Sequence, residues 1–511
     1  MKNIKYLLLA LFIFLATPGC KKFLNVEPID ALSGNNFWKS KTDVENFMNG
    51  IYYRLRDKVG GTQDFYNFNE RSFFPMLEMR GNFINSNGFE GSQTVSNLVN
   101  NNMNAIYYGN GRFDYLAQQV MSWKVFYDII AASNILILES DKVPSSSLSD
   151  TEKKQYKAQA VFMRNLSYLY ICRLFGDAVY YTDAYHSKPL PRIDQVEVMD
   201  KCIADMAAYK NDLPVAYADA SYKGFRPTQA SADALMMHLN MWASAFTKND
   251  KNVYYRNVLT LMADLDKYTA YKVLPITPAN TKLIFKGNSV ENLFGVLQSS
   301  NTGESFSRTA GYSFYFSHYP YAGNVTQTNS FLSYSSYNIS LLFKPGQADN
   351  RKDIWFDNYD SGNGSFQFKK FANTFSTGSG SSSYVGSDDA AIIFRLPDAI
   401  LLAAEAAAEL DNDDLARSLA NRITAAAGAS PISIGGEFLK DLIFQERTKE
   451  LIGEGQFYFD LVRTKKILNF KYTANAMSVS DYNAKAWTWP LYLSPEEKAA
   501  NPFLVGNSFW N

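Results

Sequence analysis

The chain has 511 residues, 46% of them hydrophobic and 15% aromatic, with 50 basic side chains balanced by 50 acidic ones. That length can bury a large core and usually divides into more than one compact unit. A net charge of zero removes the basic footprint that nucleic-acid binding needs, and three cysteines are too few for a disulfide framework.

The opening MKNIKYLLLALFIFLATPGC places Lys2 and Lys5 before an uncharged apolar run from Tyr6 to Ala16, then small residues before Cys20. This is the order of a signal peptide over residues 1–19, with an apolar run about half as long as a bilayer span. Cleavage before Cys20 leaves a thiol free to carry lipid, and several acyl chains on one N-terminus anchor where one does not. Thr17 stands where lipoprotein signals usually have Leu, and Pro18 is unusual there. The plain alternative is a secretory signal with an incidental Cys. Beyond Cys20 no run of about 18 apolar residues occurs. The longest candidate, Leu396 to Leu410, is broken by Asp398 and Glu405.

Apolar spacing predicts amphipathic helices over Val120 to Leu138, Thr151 to Phe175, Val196 to Leu213, Thr228 to Phe246 and Tyr254 to Tyr268. Ser149-Asp150-Thr151-Glu152 is a capping pattern ahead of the second. Cys172, in the apolar YLYICRLF, reads as a buried free thiol, with a bridge to Cys202 as the alternative in an oxidising compartment. Pro397 to Leu410 and Asp413 to Ala427, joined at Asp411-Asn412, predict a helical hairpin of tetratricopeptide size, and Phe438 to Ile452 predicts the next helix. Helices in pairs predict a mostly α protein built as an α-α superhelix, without a strict repeat consensus.

Between these helices lie long polar connections, which are usually functional or mobile. Asn82 to Gly111 is rich in Asn and Gly, and Asp357 to Asp389 contains STGSGSSS. Ser299 to Asn338 combines Ser, Thr and Asn with Tyr312, Tyr315, Tyr319, Tyr321, Tyr334 and Tyr337. These are more large rings than a polar connection needs unless they pack or bind.

Enzymatic signals are weak. His186, His238 and His318 match no metal spacing, and His238 in ALMMHLNMW reads as a packed helix residue. No nucleophile elbow, phosphate loop or H-E-x-x-H is present. Paired carboxylates for glycoside hydrolysis need no fixed spacing, so nothing selects a pair among fifty acids. The densest charged stretch is ERTKELIGEGQFYFDLVR. Glu446, Glu450 and Glu454 lie four apart on one helix face, Arg447 lies on an adjacent stripe, and Asp460 and Arg463 follow. An ion-pair network tying a helix end to the next segment is the favoured reading over a catalytic one.

The order of several motifs resembles the SusD/RagB family of nutrient-binding outer-membrane lipoproteins. CKKFLNVEP follows the lipid cysteine; Phe37-Trp38, Asp43 and Asn49-Gly50-Ile51-Tyr52 are similar to the family's early helix. Phe162-Met163-Arg164, Tyr168 and Gly176-Asp177 resemble its "FLRA…Y…GD" segment, and Arg395 with LLAAEAAAEL its helical hairpin. Glu446, Arg447, Glu450, Leu451, Glu454, Gly455, Asp460, Leu461 and Arg463 follow its "ER…EL…EG…DL.R" signature, and PLYLSPEEKAANPFLVGNSFW its tail. Phe457 stands where the family commonly has Arg, and Val179 near where it has Pro.

The resemblance implies tetratricopeptide-like helix pairs as a scaffold, with loop-rich insertions carrying the ligand site. It implies a signal peptide over 1–19, then regions 20–230 and 231–511 forming one compact unit. It implies no catalysis, cofactor or metal. The expected function is capture of an oligosaccharide or polysaccharide at the cell surface, for a SusC-like TonB-dependent transporter, by a protein lipid-anchored in the outer membrane through Cys20. A RagB-like peptide binder, a lipid-anchored polysaccharide hydrolase and a ligand-free structural partner are the rivals. Glu78, Arg80 and Asn82 resemble a polar segment near the ligand-facing surface of relatives, where Asp often follows the Arg and this chain has Gly81-Asn82. A loop salt bridge is the alternative there. Tyr312, Tyr315, Tyr319, Tyr321, Tyr334 and Tyr337 are candidate sugar contacts, since a tyrosine ring stacks while its hydroxyl bonds. Alternation at Tyr312, Phe314 and Phe316 equally suits a half-buried strand.

Overall fold

Capping chemistry sets the longest helix. Ser149 Oγ accepts from the Glu152 backbone N–H, and the Glu152 carboxylate accepts from Ser149 N at 3.0 Å. The helix runs from Asp150 to Phe175 and stops at Gly176, whose φ of 77° breaks the helical path. In the computed structural model the described residues are 37–60, 74–81, 84–86, 92–298, 332–357, 367–371, 373–377, 384–387, 389–507 and 509–510.

The scaffold begins with α1 (Lys41–Gly60), α2 (Phe74–Arg80), α3 (Ser92–Val99), α4 (Met103–Tyr107) and α5 (Arg112–Val120). It continues through α6 (Lys124–Glu139), α7 (Asp150–Phe175), α8 (Gln195–Tyr209), α9 (Gln229–Phe246), α10 (Asn252–Leu265) and α11 (Pro278–Phe285). Then come α12 (Ser336–Leu342), α13 (Asn350–Trp355), α14 (Leu396–Glu409), α15 (Asp413–Ala426), α16 (Glu437–Glu450), α17 (Phe457–Arg463), α18 (Val479–Asn483) and α19 (Pro495–Ala500). Each long helix packs on the next: α1 on α6, then α6 to α10 in turn, α10 on α14, and α14 on both α15 and α16. This is the expected superhelical stack, and the chain is mostly α.

Helices α7, α9 and α14 form its centre. Every residue from Ala158 to Phe175 and from Ala230 to Ser244 is buried, so these helices are enclosed on all sides rather than amphipathic. The alanines of α14, at 399, 403, 404, 406, 407 and 408, are buried as well and let neighbouring helices approach closely. Cys172 and Cys202 are both buried free thiols.

The helix expected over Val120 to Leu138 is divided instead, at Met121 to Trp123. Two carbonyls that a continuous helix would bond internally go elsewhere. Met121 O accepts from Tyr492 N at 2.9 Å, and Ser122 O from Lys58 Nζ at 3.1 Å.

Strands occur as four two-stranded antiparallel pairs among the described residues. β1 (Ile84–Ser86) pairs with β3 (Leu332–Tyr334), β2 (Asn292–Val296) with β8 (Ala391–Arg395), β4 (Phe356–Asp357) with β5 (Gln367–Phe368), and β6 (Thr374–Thr377) with β7 (Tyr384–Ser387). The β2–β8 pair is wholly buried and delivers Arg395 to the C-terminal end of α16. No described helix is long and apolar enough to cross a membrane.

Candidate functional site

Two environments meet at α16. On its inner side the carboxylates of the charged stretch are buried among cations. Arg351, fully buried, takes Asp349 at 2.8 Å, Glu446 at 2.8 Å and Glu450 at 2.9 Å. Arg395 binds Glu450 at 2.6 Å and Glu454 at 2.7 Å, and Lys370 donates to Glu454 at 2.5 Å. Arg447 points the other way. It reaches Asp460 of α17 at 2.8 Å and Asp398 of α14 at 2.6 Å. Arg463 joins Asp460 at 2.8 Å and Glu405. Asp398 also accepts from His238 Nε2 at 2.7 Å, while Arg173 donates to His238 Nδ1 at 2.7 Å. A ring accepting at Nδ1 is the neutral imidazole, and burial accordingly pulls the His238 pKa down to about 4.

On its outer side α16 faces a hollow of about 280 Å³. Tyr337 and Leu341 of α12 line it together with Phe470. These three side chains are 70%, 51% and 76% exposed, a concentration of exposed apolar surface that scattered surface residues do not produce. Phe444, Phe457 and Tyr472 also line the hollow; the Phe444 and Tyr472 rings meet edge to face at 5.6 Å. Gln445, Thr448, Asn338 and Lys471 supply polar groups around the apolar lining. That composition suits a ligand with an apolar face and hydroxyls at its edge.

Gly81 lies in the same lining, and its lack of a side chain is a packing requirement: a Cβ there would sit 2.3 Å from Phe457 Cδ1. Phe457 lines the hollow as well. Here the two are in contact, so one apolar contact occupies that place in the lining.

The residues singled out from sequence separate into three groups. Cys20, Asn82, Tyr312, Tyr315, Tyr319 and Tyr321 lie outside the described residues. Glu78, Arg80 and Tyr334 are buried. Glu78 and Arg80, expected in a loop, stand in α2 and do not pair with each other. Glu78 accepts from Gly455 N at 2.5 Å and from the Tyr334 hydroxyl at 3.4 Å. Burial pushes its carboxyl up to about 7, against the Gly455 and Gly453 N–H groups that favour the charge. Arg80 donates to Asn101 and to the carbonyls of Trp487 and Thr488, and lies 4.4 Å from the Tyr458 ring. Tyr334 packs on Phe368 at 4.9 Å. Tyr337 is the candidate that opens onto the hollow. Phe470 and Tyr472 were not singled out, although NFKYTAN shows the same signal, rings in a short polar connection.

Comparison with known proteins agrees with this architecture. The family model described as "SusD family" matches residues 242–502, and one described as "Starch-binding associating with outer membrane" matches residues 22–239. A solved SusD homologue from Bacteroides thetaiotaomicron is 35% identical, with 93% of this chain and 100% of that one covered and a TM-score of 0.80. A laminarin-binding SusD-like protein is 18% identical and shares the fold, with a TM-score of 0.66 over 92% of this chain and 100% of that one. The SusD-like protein P38 of Formosa agariphila is 23% identical, covering 96% of each chain. This chain belongs to the SusD family.

Proposed function

We propose that the protein captures oligosaccharide or polysaccharide at the outer surface of a cell and hands it to a SusC-like TonB-dependent transporter. Its N-terminus is held in the outer membrane by lipid on Cys20, and it performs no catalysis of its own. The observation that carries the saccharide reading is the convergence of exposed Tyr337 and Phe470 on one hollow with polar groups around it. A pyranose offers its C–H face to such rings and its hydroxyls to Gln445, Asn338 and Lys471. Family membership supports the surface role, as does the outer-membrane description of the model that matches residues 22–239. The anchor reading rests on the charged, apolar and small-residue order before Cys20.

Calorimetric titration against panels of glycans and peptides tests the reading. A glycan is expected to bind, with Tyr337→Ala and Phe470→Ala each weakening it by roughly 1–2 kcal/mol, or five- to thirty-fold. Binding of peptides alone would replace glycan with peptide as the cargo, and turnover of a bound oligosaccharide would replace capture with hydrolysis. Cys20→Ala is expected to leave the membrane fraction while remaining folded; unchanged retention would remove lipid as the anchor.

A further inference from the structure

A ring that is 76% exposed gains little hold from packing, so the place of Phe470 depends on the turn that carries it. That turn is closed internally. Tyr472 N donates to Asn469 O at 3.0 Å and Lys471 N to Asn469 Oδ1 at 2.9 Å, which puts Phe470 and Lys471 at its two central positions. Internal closure fixes the shape of the turn but not where it sits against α16.

One carboxylate makes that second link. Asp441 stands in α16, three and four residues ahead of Phe444 and Gln445, which both line the hollow. Its Oδ1 accepts from the Tyr472 hydroxyl at 2.5 Å and from Lys466 Nζ at 2.6 Å, and its Oδ2 from Lys471 Nζ at 2.5 Å. The three donors flank Phe470 on both sides in sequence. Lys466 also lies 4.3 Å from the centre of the Tyr472 ring. Asn475 donates to Val99 O, and Met477 N to Ile467 O, but these ties are at the base of the segment rather than at its tip. Burial opposes the charge on Asp441, yet the two ammoniums and the hydroxyl hold its carboxyl down at about 2, so the tie persists through the neutral pH range. Asp441 is not itself among the residues lining the hollow. An ion pair near the surface contributes little to folding. Here its contacts converge on one turn, and an exposed ring sits at the tip of that turn.

We infer that Asp441 is a positioning residue for the saccharide site: it pins the turn from Asn469 to Tyr472 against α16 and so keeps Phe470 in the lining of the hollow. The effect on affinity rests on the saccharide reading, whereas the pinning of the turn does not.

Two measurements on the full chain separate these. The first needs no ligand. A nitroxide is placed on Phe470→Cys in the Cys20→Ala protein, where the remaining thiols, Cys172 and Cys202, are buried. Adding Asp441→Asn is expected to raise the mobility of this label and to leave unchanged that of a label on Leu341→Cys in α12. A label at 470 that stays as restricted as before overturns the inference. The second is calorimetric titration with maltohexaose, laminarihexaose, cellohexaose and xylohexaose. For any that binds, Asp441→Asn is expected to weaken affinity by roughly fivefold while the melting temperature stays within about 2 °C of wild type. In the Phe470→Ala background the same substitution should cost less than about twofold, and in the Tyr337→Ala background the loss should remain. An equal loss with and without Phe470 overturns the inference and leaves the saccharide reading standing. Binding of no saccharide, here or in the wider glycan panel, overturns the saccharide reading, and the label at 470 then decides the pinning alone.

Discussion

The two sides of α16 put similar chemical groups to opposite uses. On the inner side, Glu450 and Glu454 are each within 2.9 Å of two cations, and Arg395 and Arg351 are almost wholly enclosed. On the outer side, Tyr337 and Phe470 are more exposed than covered. Satisfied groups in a low-dielectric interior fix geometry; their removal costs stability because the partner is left charged and dry. Unsatisfied groups at a surface contribute little to folding and remain available to a ligand. One helix thus separates a junction held by buried ion pairs from a cleft whose rings stay open to a ligand.

The comparison is tested most severely at Arg447. Arg447→Ala leaves Asp398 and Asp460 without their shared cation, and a broken buried pair costs about 3–5 kcal/mol. The melting temperature should fall steeply while affinity per folded molecule is retained. Unchanged melting with lost binding would move Arg447 from the junction to the ligand site.

Glu78 gives a test by pH. Its carboxyl is raised to about 7 in the folded protein from an ordinary 4.5, so the folded state holds the proton more tightly than the unfolded state does. The stability it contributes is full below pH 4.5 and is lost as pH rises through 7. Over that window the loss is about 3 kcal/mol by linkage. Denaturant titrations at pH 5 and pH 8 should show this drop in the wild type and a flatter response in Glu78→Gln. Parallel slopes for the two proteins would mean that Glu78 is ionised in the fold throughout.

Gly81→Ala probes the lining of the cleft. The added Cβ meets the Phe457 ring at 2.3 Å, and overpacking of this kind costs about 1–3 kcal/mol. Gly81→Ala combined with Phe457→Leu should recover part of that loss in thermal melting; no recovery would place the strain in the backbone instead. The smallest effect on folding is expected at the rim. Tyr337→Ala and Phe470→Ala should each alter stability by no more than about 0.5 kcal/mol, as exposed positions do. A clear drop in melting temperature would make these rings part of the scaffold.

Much of the scaffold was legible from local chemistry. The Ser149–Glu152 capping box and the apolar spacing of 229–246, 396–409 and 413–426 act within a few residues, and those helices appear within a residue or two of their expected bounds. The break at Met121 to Trp123 was not legible, because its cause is a carbonyl taken by Tyr492, remote in sequence. The charged stretch shows the same division. Spacing alone puts Glu446, Glu450 and Glu454 on one face, but nothing local announces that Arg351, Lys370 and Arg395 meet that face. Polarity misled at Glu78 and Arg80. A charged pair two residues apart in sequence suggests a surface loop, and only tertiary structure supplies the Gly455 amide and the Trp487 carbonyl that make burial tolerable. Tyr334 and Tyr337 are alike in sequence context and differ entirely in exposure, because one lies in β3 packed on Phe356 and Phe368 and the other on an exposed face of α12.

The C-terminal segment that finishes α7 has a kinetic consequence. The last carbonyls of that central helix are met by Trp489 N, by Arg192 and by Asn507, the last lying 332 residues downstream of Phe175. Arg80 likewise finds a carbonyl 407 residues ahead of it. Contacts so distant in sequence form late, since loop-closure entropy opposes them until the intervening chain has condensed. During synthesis the hairpins can zip as they emerge, but Leu174 O and the Arg80 guanidinium lack these partners until the segment from Trp487 to Trp489 arrives. A polypeptide interrupted before Trp487 therefore holds its helices without these closing contacts, and the segment from Trp487 to Asn507 acts as a late clasp on the centre of the scaffold.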